Sequence, residues 1–229
     1  MLNLGNLNVK DLFLGSTKVS SAWLGTQKVW PSLPYDAEVE YLESTGTQWI
    51  QTDWIADLTK DFRISGRCGF ATTQRGMLMS AYSNNDQSNM SIELYNNLRF
   101  RVYCHADTIV YAPGVSVGDM FAFDIMYQSS DGLMTATANG VTRTGVVQSA
   151  YRRLNSLAMR IGADYRNMFL YGMFGSIRVE NPDLVCDFIP VRFTNENNQS
   201  EGAMYDKVTK QLFRNQGTGD FVIGPDMNP

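Results

Sequence analysis

The chain has a single histidine, His105, in 229 residues. A Ser-His-Asp or Cys-His catalytic group would have to use it. Cys104 is its neighbour, but adjacent residues of a strand point to opposite faces, so the two side chains cannot meet there. His105 reads as a strand-end or loop residue. Cysteine is scarce too: Cys68, Cys104 and Cys186 are three in number and form no CxxC pair. An odd count without that spacing indicates neither a disulfide framework nor a zinc ribbon. Three buried thiols in strands are expected, in a protein folded in a reducing cytoplasm.

Long apolar runs are missing. No stretch approaches the roughly 18 residues of a spanning helix, so no membrane insertion is expected. The N-terminus lacks a basic region followed by an apolar run, so release from a cell would follow a route other than a cleaved signal, such as lysis. An excess of positive charge is also missing. The net charge is −4, which argues against a polyanion-binding surface and against nucleic acid as a ligand.

What is present is a core-forming 44% of hydrophobic residues, rich in Tyr and Phe, set among abundant Asn and Ser. That mixture suits strands joined by polar loops. At the N-terminus one pattern recurs at a spacing of ten. Leu4-Gly5, Leu14-Gly15 and Leu24-Gly25 open the units, and Val9, Val19 and Val29 close them. A ten-residue unit with a central Gly is one hairpin, too short for a helical repeat. Isolated hairpins bury little, so Phe13, Trp23 and Trp30 are expected to serve in assembly, against sister chains or another protein. Pro31 and Pro34 then end the last strand and make a short connector.

Strand signals dominate from Tyr35 onward. Phe62 to Phe70 alternates, with Phe62, Ile64, Cys68 and Phe70 on one face, and Met120 to Gln128 does the same with Phe121, Phe123, Ile125 and Tyr127. Met90 to Tyr95 and Leu98 to Cys104 read as a hairpin across an Asn-Asn turn, and Asn139-Gly140 marks another. Residues 154–161 carry apolar side chains at helical spacing, but the flanking glycines and short length favour a strand. The expected fold class is all-β: two antiparallel sheets packed as a sandwich. The expected domains are an attachment and oligomerisation module over 1–31, a linker over 32–37 and the sandwich over 38–229.

Asn84, Asn85, Asp86 and Asn89 offer oxygens to calcium, yet only one is a carboxylate, and hard cations prefer more. No metal and no cofactor is expected. Glu38, Glu40 and Glu43 have the acid spacing of laminarinase-type hydrolases, with Glu at the central Asp position. A glycan-cleaving role would need Glu38 and Glu43 about 5–10 Å apart in a cleft; three solvated acids on an edge strand is the plainer reading. Sugar binding needs an aromatic face beside amides and carboxylates. Such groups cluster at Tyr82, Asn84, Asn85 and Asp86, at Tyr103, His105 and Asp107, and at Asp164, Tyr165, Arg166 and Asn167. Tyr82, Asn84, Asn85, Asp86, Tyr103, Asp164 and Tyr165 are the candidate ligand-binding residues.

Three segments carry a resemblance. Val39 to Thr52 (VEYLESTGTQWIQT) opens the domain, Phe188-Ile189-Pro190-Val191-Arg192 lies near its end, and Gly202 to Asp206 with Phe213 to Phe221 (FRNQGTGDF) closes it. Together they resemble the laminin-G-like, concanavalin A-like domains of gut bacteriophage and Bacteroidales prophage structural proteins. The Leu-Gly-x-x-Lys-Val units are similar to segments at the N-termini of such proteins. The resemblance implies a jelly-roll sandwich in a non-enzymatic virion component, a tail fibre or surface decoration. It also implies assembly into an oligomer with other virion proteins and contact with a host cell-surface glycan. A decoration that contacts only virion proteins is the alternative, and fold alone does not decide between them.

Overall fold

The structure, a computed structural model, describes residues 33–82, 90–104, 107–151 and 154–227, and six short strands between residues 3 and 30. Those six strands form three separate hairpins. β1 (Asn3–Leu4) pairs with β2 (Leu7–Asn8), β3 (Phe13–Leu14) with β4 (Thr17–Lys18), and β5 (Ala22–Leu24) with β6 (Gln27–Trp30). The innermost partners are Leu4 and Leu7, Leu14 and Thr17, and Leu24 and Gln27, so the pairing keeps the ten-residue period of the sequence. Phe13, Trp23 and Trp30 lie on these strands; their side chains fall outside what the structure describes.

The remaining chain supplies β7 (Ala37–Glu38), β8 (Leu42–Thr45), β9 (Ile50–Asp57), β10 (Phe62–Phe70), β11 (Gly76–Ser80) and β12 (Met90–Tyr95). There follow β13 (Arg99–Cys104), β14 (Asp107–Tyr111), β15 (Met120–Tyr127), β16 (Leu133–Ala138), β17 (Val141–Val146) and β18 (Leu154–Ile161). The last are β19 (Tyr171–Asn181), β20 (Asp183–Thr194), β21 (Ser200–Asp206), β22 (Gln211–Arg214) and β23 (Val222–Ile223). A six-stranded sheet runs β14-β13-β12-β11-β18-β9. An eleven-stranded sheet runs β17-β16-β15-β10-β19-β20-β21-β22, with β7 on β20 and β8 between β19 and β23. The pairings are antiparallel throughout.

Alternation explains the core. Phe62, Ile64, Cys68 and Phe70 from β10 and Phe121, Phe123, Ile125 and Tyr127 from β15 are buried on one face of the larger sheet. Opposite them stand Ile92 and Leu94 of β12 and Phe100 and Val102 of β13. The three cysteines are thiols within this core. A second, smaller apolar cluster, Ile189, Val191, Phe193, Ala203 and Tyr205, uses alternate residues of β20 and β21 and is capped by Tyr35. The connector is tied down there. Asp36 N–H donates to Arg192 O at 2.8 Å, and Thr194 Oγ1 donates to Asp36 Oδ2 at 2.7 Å.

Some local expectations shift. Residues 154–161 form a strand, because β18 fills the gap between β11 and β9. The turn after β12 places positive φ at Asn97 and Leu98, not at Asn96, since Tyr95 pairs with Arg99 across a three-residue loop. Asn139-Gly140 has φ of 48° and 76°, the left-handed pair that a type I′ hairpin requires. β7 ends at Glu38 and β8 begins at Leu42, so Glu38, Glu40 and Glu43 do not share one regular strand.

The two ends of the sandwich sequence meet. Thr47 Oγ1 donates to Thr218 O at 2.6 Å, Trp49 N–H to Asn215 Oδ1 at 3.1 Å, and Gln216 N–H to Trp49 O at 2.8 Å. Thus the opening and closing motifs of the resemblance are one hydrogen-bonded unit. Gly217 lies at its tightest point, where a Cβ would collide with the Thr47 carbonyl oxygen.

Candidate functional site

The register of the six-stranded sheet builds one row across all six strands. Gln51 of β9 lies opposite Arg160 of β18, Arg160 opposite Ser80 of β11, and Ser80 opposite Ser91 of β12. Ser91 lies opposite Tyr103 of β13, and Tyr103 opposite Thr108 of β14. Directly paired residues share a face, and their neighbours Met79, Ile92, Val102 and Ile109 point into the core. The row therefore faces outward. Glu93 and Arg101 pair beside it, one step toward the Tyr95–Arg99 pair.

Aromatic rings and guanidiniums alternate over this face. The Arg160 guanidinium carbon lies 4.1 Å from the centre of the Trp49 ring and 3.7 Å from that of Tyr165. The Arg166 guanidinium lies 3.8 Å from the Tyr82 ring, and the Tyr82 and Tyr103 ring centres are 5.5 Å apart. The Arg101 guanidinium is 4.9 Å from Tyr103 and 5.1 Å from Tyr95, and Arg75 is 5.3 Å from Tyr95. Trp49, Tyr82, Tyr95, Tyr103 and Tyr165 are all half-buried, so each ring keeps part of its surface in solvent. A guanidinium on a ring contributes about 0.5–1 kcal/mol where exposed and more as water is excluded.

Two buried carboxylates hold the cations in place. Glu93 is 1% exposed. Its Oε2 accepts from Arg75 Nε at 2.8 Å and Arg101 Nη1 at 3.2 Å, and its Oε1 accepts from Ser91 Oγ at 2.7 Å. Asp164 is 0% exposed. Its Oδ2 accepts from Arg166 Nε and Nη2 at 2.8 and 2.6 Å, and its Oδ1 accepts from the N–H groups of Arg166 and Met168 at 2.8 and 2.9 Å. Arg160 joins the two halves, donating from Nε to Gln51 Oε1 at 3.2 Å and from Nη1 to Asp164 O at 3.1 Å. Burial, with Tyr82 beside it, pushes the Tyr103 phenol up from its ordinary value.

Of the residues read from the sequence, Tyr82, Tyr103, Asp164 and Tyr165 come together here. Asp164 serves from beneath: solvent does not reach its oxygens, and its carboxylate orients Arg166. Tyr165 donates its hydroxyl to Ala158 O at 3.0 Å. Asn84, Asn85 and Asp86 lie outside the described residues, as do His105 and the Asp107 side chain. Trp49, Arg75, Glu93, Tyr95, Arg101 and Arg160 belong to the face but not to the candidate residues that the sequence singles out. Their signal was present, since Arg99, Arg101 and Tyr103 alternate on the face opposite Phe100 and Val102. The cross-strand register needed to join them was not.

A separate rim cavity of about 430 Å³ is lined by Glu40, Tyr41, Arg67, Asp119, Phe121 and Asn139, among others. It includes neither Glu38 nor Glu43. Glu38 accepts from the Tyr35 hydroxyl at 3.1 Å, and Glu43 pairs with Met173 and Val222 within the larger sheet. Among the described residues no cluster of three or more His, Cys, Asp or Glu is placed to hold a metal ion, and no helix is long and apolar enough to cross a membrane.

No protein-family model and no curated protein matches the chain. Solved structures do. The chain is similar to a candidate carbohydrate binding protein from Bacteroides ovatus, with a TM-score of 0.57 at 10% identity, over 84% of this chain and 61% of that one. It is also similar to domains LG4-5 of the mouse laminin alpha1 chain, with a TM-score of 0.53 at 10% identity, over 85% of this chain and 49% of that one. The fold is a laminin-G-like jelly roll. The chain spans less than two thirds of the length of either neighbour, and at this identity the likeness speaks for the fold alone.

Proposed function

We propose that this chain is a non-enzymatic, glycan-binding virion protein of a bacteriophage, a tail fibre or surface decoration. The ring-and-guanidinium face of its six-stranded sheet contacts the sugar. The observation that carries this reading is the Tyr82–Tyr103 pair, two half-buried rings 5.5 Å apart on an outward sheet face. Aromatic faces cover the apolar side of a pyranose, while the flanking guanidiniums and Gln51 hydrogen-bond its hydroxyls. The likeness to the Bacteroides ovatus candidate carbohydrate binding protein is consistent with it. The three N-terminal hairpins supply the attachment to other virion proteins and to further copies of this chain, since two-stranded pieces of this size need a partner to bury their apolar side chains.

A glycan array probed with the chain in multivalent display tests the sugar-binding half. Binding that is lost in both Tyr82→Ala and Tyr103→Ala, with the fold intact by circular dichroism, is the expected result. No binding to any glycan under that display would overturn the proposal and leave a structural decoration as the reading.

A further inference from the structure

We infer that the sugar recognised by this face is anionic, with its carboxylate or sulfate group held by Arg75 and Arg101. The inference rests on the glycan-binding reading and names its ligand class.

The first ground is charge. Among the described residues the face gathers four guanidiniums and two buried carboxylates: Glu93 bonds Arg75 and Arg101, Asp164 bonds Arg166, and Arg160 donates to the Asp164 backbone carbonyl without pairing with either carboxylate. Two positive charges remain in excess on a chain whose net charge is −4. Repulsion among four clustered cations is a cost, and a sheet face that served only as a lid over the core would have no use for it. A ligand anion removes that cost on binding.

The second ground is the supply of donors. Glu93 takes one nitrogen from each of Arg75 and Arg101, although each guanidinium carries five N–H groups. Arg101 Nε is buried and meets no acceptor among the described residues, so Glu93 does not satisfy this cation. A buried charged donor without a partner is costly and rare. By contrast Arg166 spends two nitrogens on Asp164 and serves mainly to hold Tyr82.

The third ground is orientation. Arg75 and Arg101 both lie beside one ring, 5.3 and 5.1 Å from the centre of Tyr95, and both donate to Glu93 Oε2. A guanidinium resting on a ring keeps its in-plane N–H groups for a planar or tetrahedral anion, and the neighbouring Tyr82–Tyr103 pair offers its surface to the sugar ring carrying that anion. Side-chain exposures of 27% for Arg75 and 16% for Arg101 leave both within reach of a ligand.

Calorimetry on the full chain tests this with four polymers: polygalacturonate for carboxylate, heparin for sulfate, carboxyl-reduced polygalacturonate and neutral dextran. The expected result is binding to at least one anionic polymer, about tenfold or more weaker binding once its charge is removed, and several-fold weakening between 50 and 500 mM NaCl, as exposed charge pairs are screened over that range. Arg75→Gln should weaken anionic binding about tenfold while thermal melting confirms the fold, and Arg101→Lys should act similarly because a point charge cannot replace the planar fork. Asn139→Ala, in the rim cavity, should bind like the unaltered chain. Equal binding of charged and neutral polymers would overturn the anionic assignment and leave glycan binding standing. Failure of all four polymers and of the glycan array together would overturn both.

Discussion

The guanidinium of Arg166 lies 3.8 Å from the centre of the Tyr82 ring while donating two hydrogen bonds to Asp164, a carboxylate that solvent does not reach. One buried acid thus fixes the attitude of a surface aromatic. Asp164→Ala should strand the guanidinium and free the turn N–H groups of Arg166 and Met168. Removing one partner of a buried pair costs about 3–5 kcal/mol. Urea denaturation should show a loss of that order, together with weaker glycan binding. A loss below about 1 kcal/mol would mean that Asp164 does not organise this loop.

Gly217 carries a second prediction. Its substitution by Ala drives a methyl group into the Thr47 carbonyl and against Trp49 Cδ1 at 3.0 Å. Overpacking of a rigid backbone contact costs about 1–3 kcal/mol. Since Asn215 and Gln216 hold the Trp49 backbone, Gly217→Ala should lower the melting temperature and also disturb the ring over Arg160. Tryptophan fluorescence and melting curves would report both, and an unchanged melting temperature would contradict the close approach.

Acid sensitivity should centre on Asp206. Burial pushes its carboxyl up, but donors from Asp187 N–H, Thr209 and Val208 N–H outweigh that and hold it below the ordinary 3.8. A carboxyl depressed in the fold stabilises above its unfolded value, and that stabilisation is lost as pH falls through the folded one. The unaltered chain should therefore lose stability as pH drops below 3.8. Asp206→Asn should start about 2 kcal/mol less stable at neutral pH and show a flatter acid profile. Parallel acid profiles in a chemical-denaturation series would refute this.

The thiols should be inert in the native chain. Burial pushes Cys68 well above its ordinary value and Cys186 up to about 12. Ellman's reagent near pH 8 should find almost no reactive thiol until denaturant is added, and then three. Rapid native labelling of Cys68 would place it outside the core.

Removal of residues 1–31 tests the proposed division of labour. The remaining chain should melt at about the same temperature, because Tyr35 and Asp36 already tie its start to β20. It should no longer join the oligomer or the particle. Retained assembly would locate the attachment elsewhere.

Much of this protein can be read along the chain. The spacing of Leu4, Leu14 and Leu24 specifies hairpins because a ten-residue unit fits little else. Alternation in Phe62 to Phe70 and Phe121 to Tyr127 specifies which face is buried, because the side-chain period of a strand is two. Asn139-Gly140 specifies its turn through the backbone conformations those residues tolerate. Tyr82 and Tyr103 could be picked out as aromatic residues beside polar loops. The tertiary structure decided the rest, since a strand pattern names a face but not the strand that will lie beside it. The β12–β13 hairpin pairs Glu93 with Arg101 locally, but only the order β9-β18-β11-β12 sets Arg160 across from Gln51 and brings both into the same row, residues far apart in the chain and unremarkable where they stand. Asp164 shows the same limit. Its sequence neighbours made it a candidate for touching ligand, and its burial made it the support of Arg166.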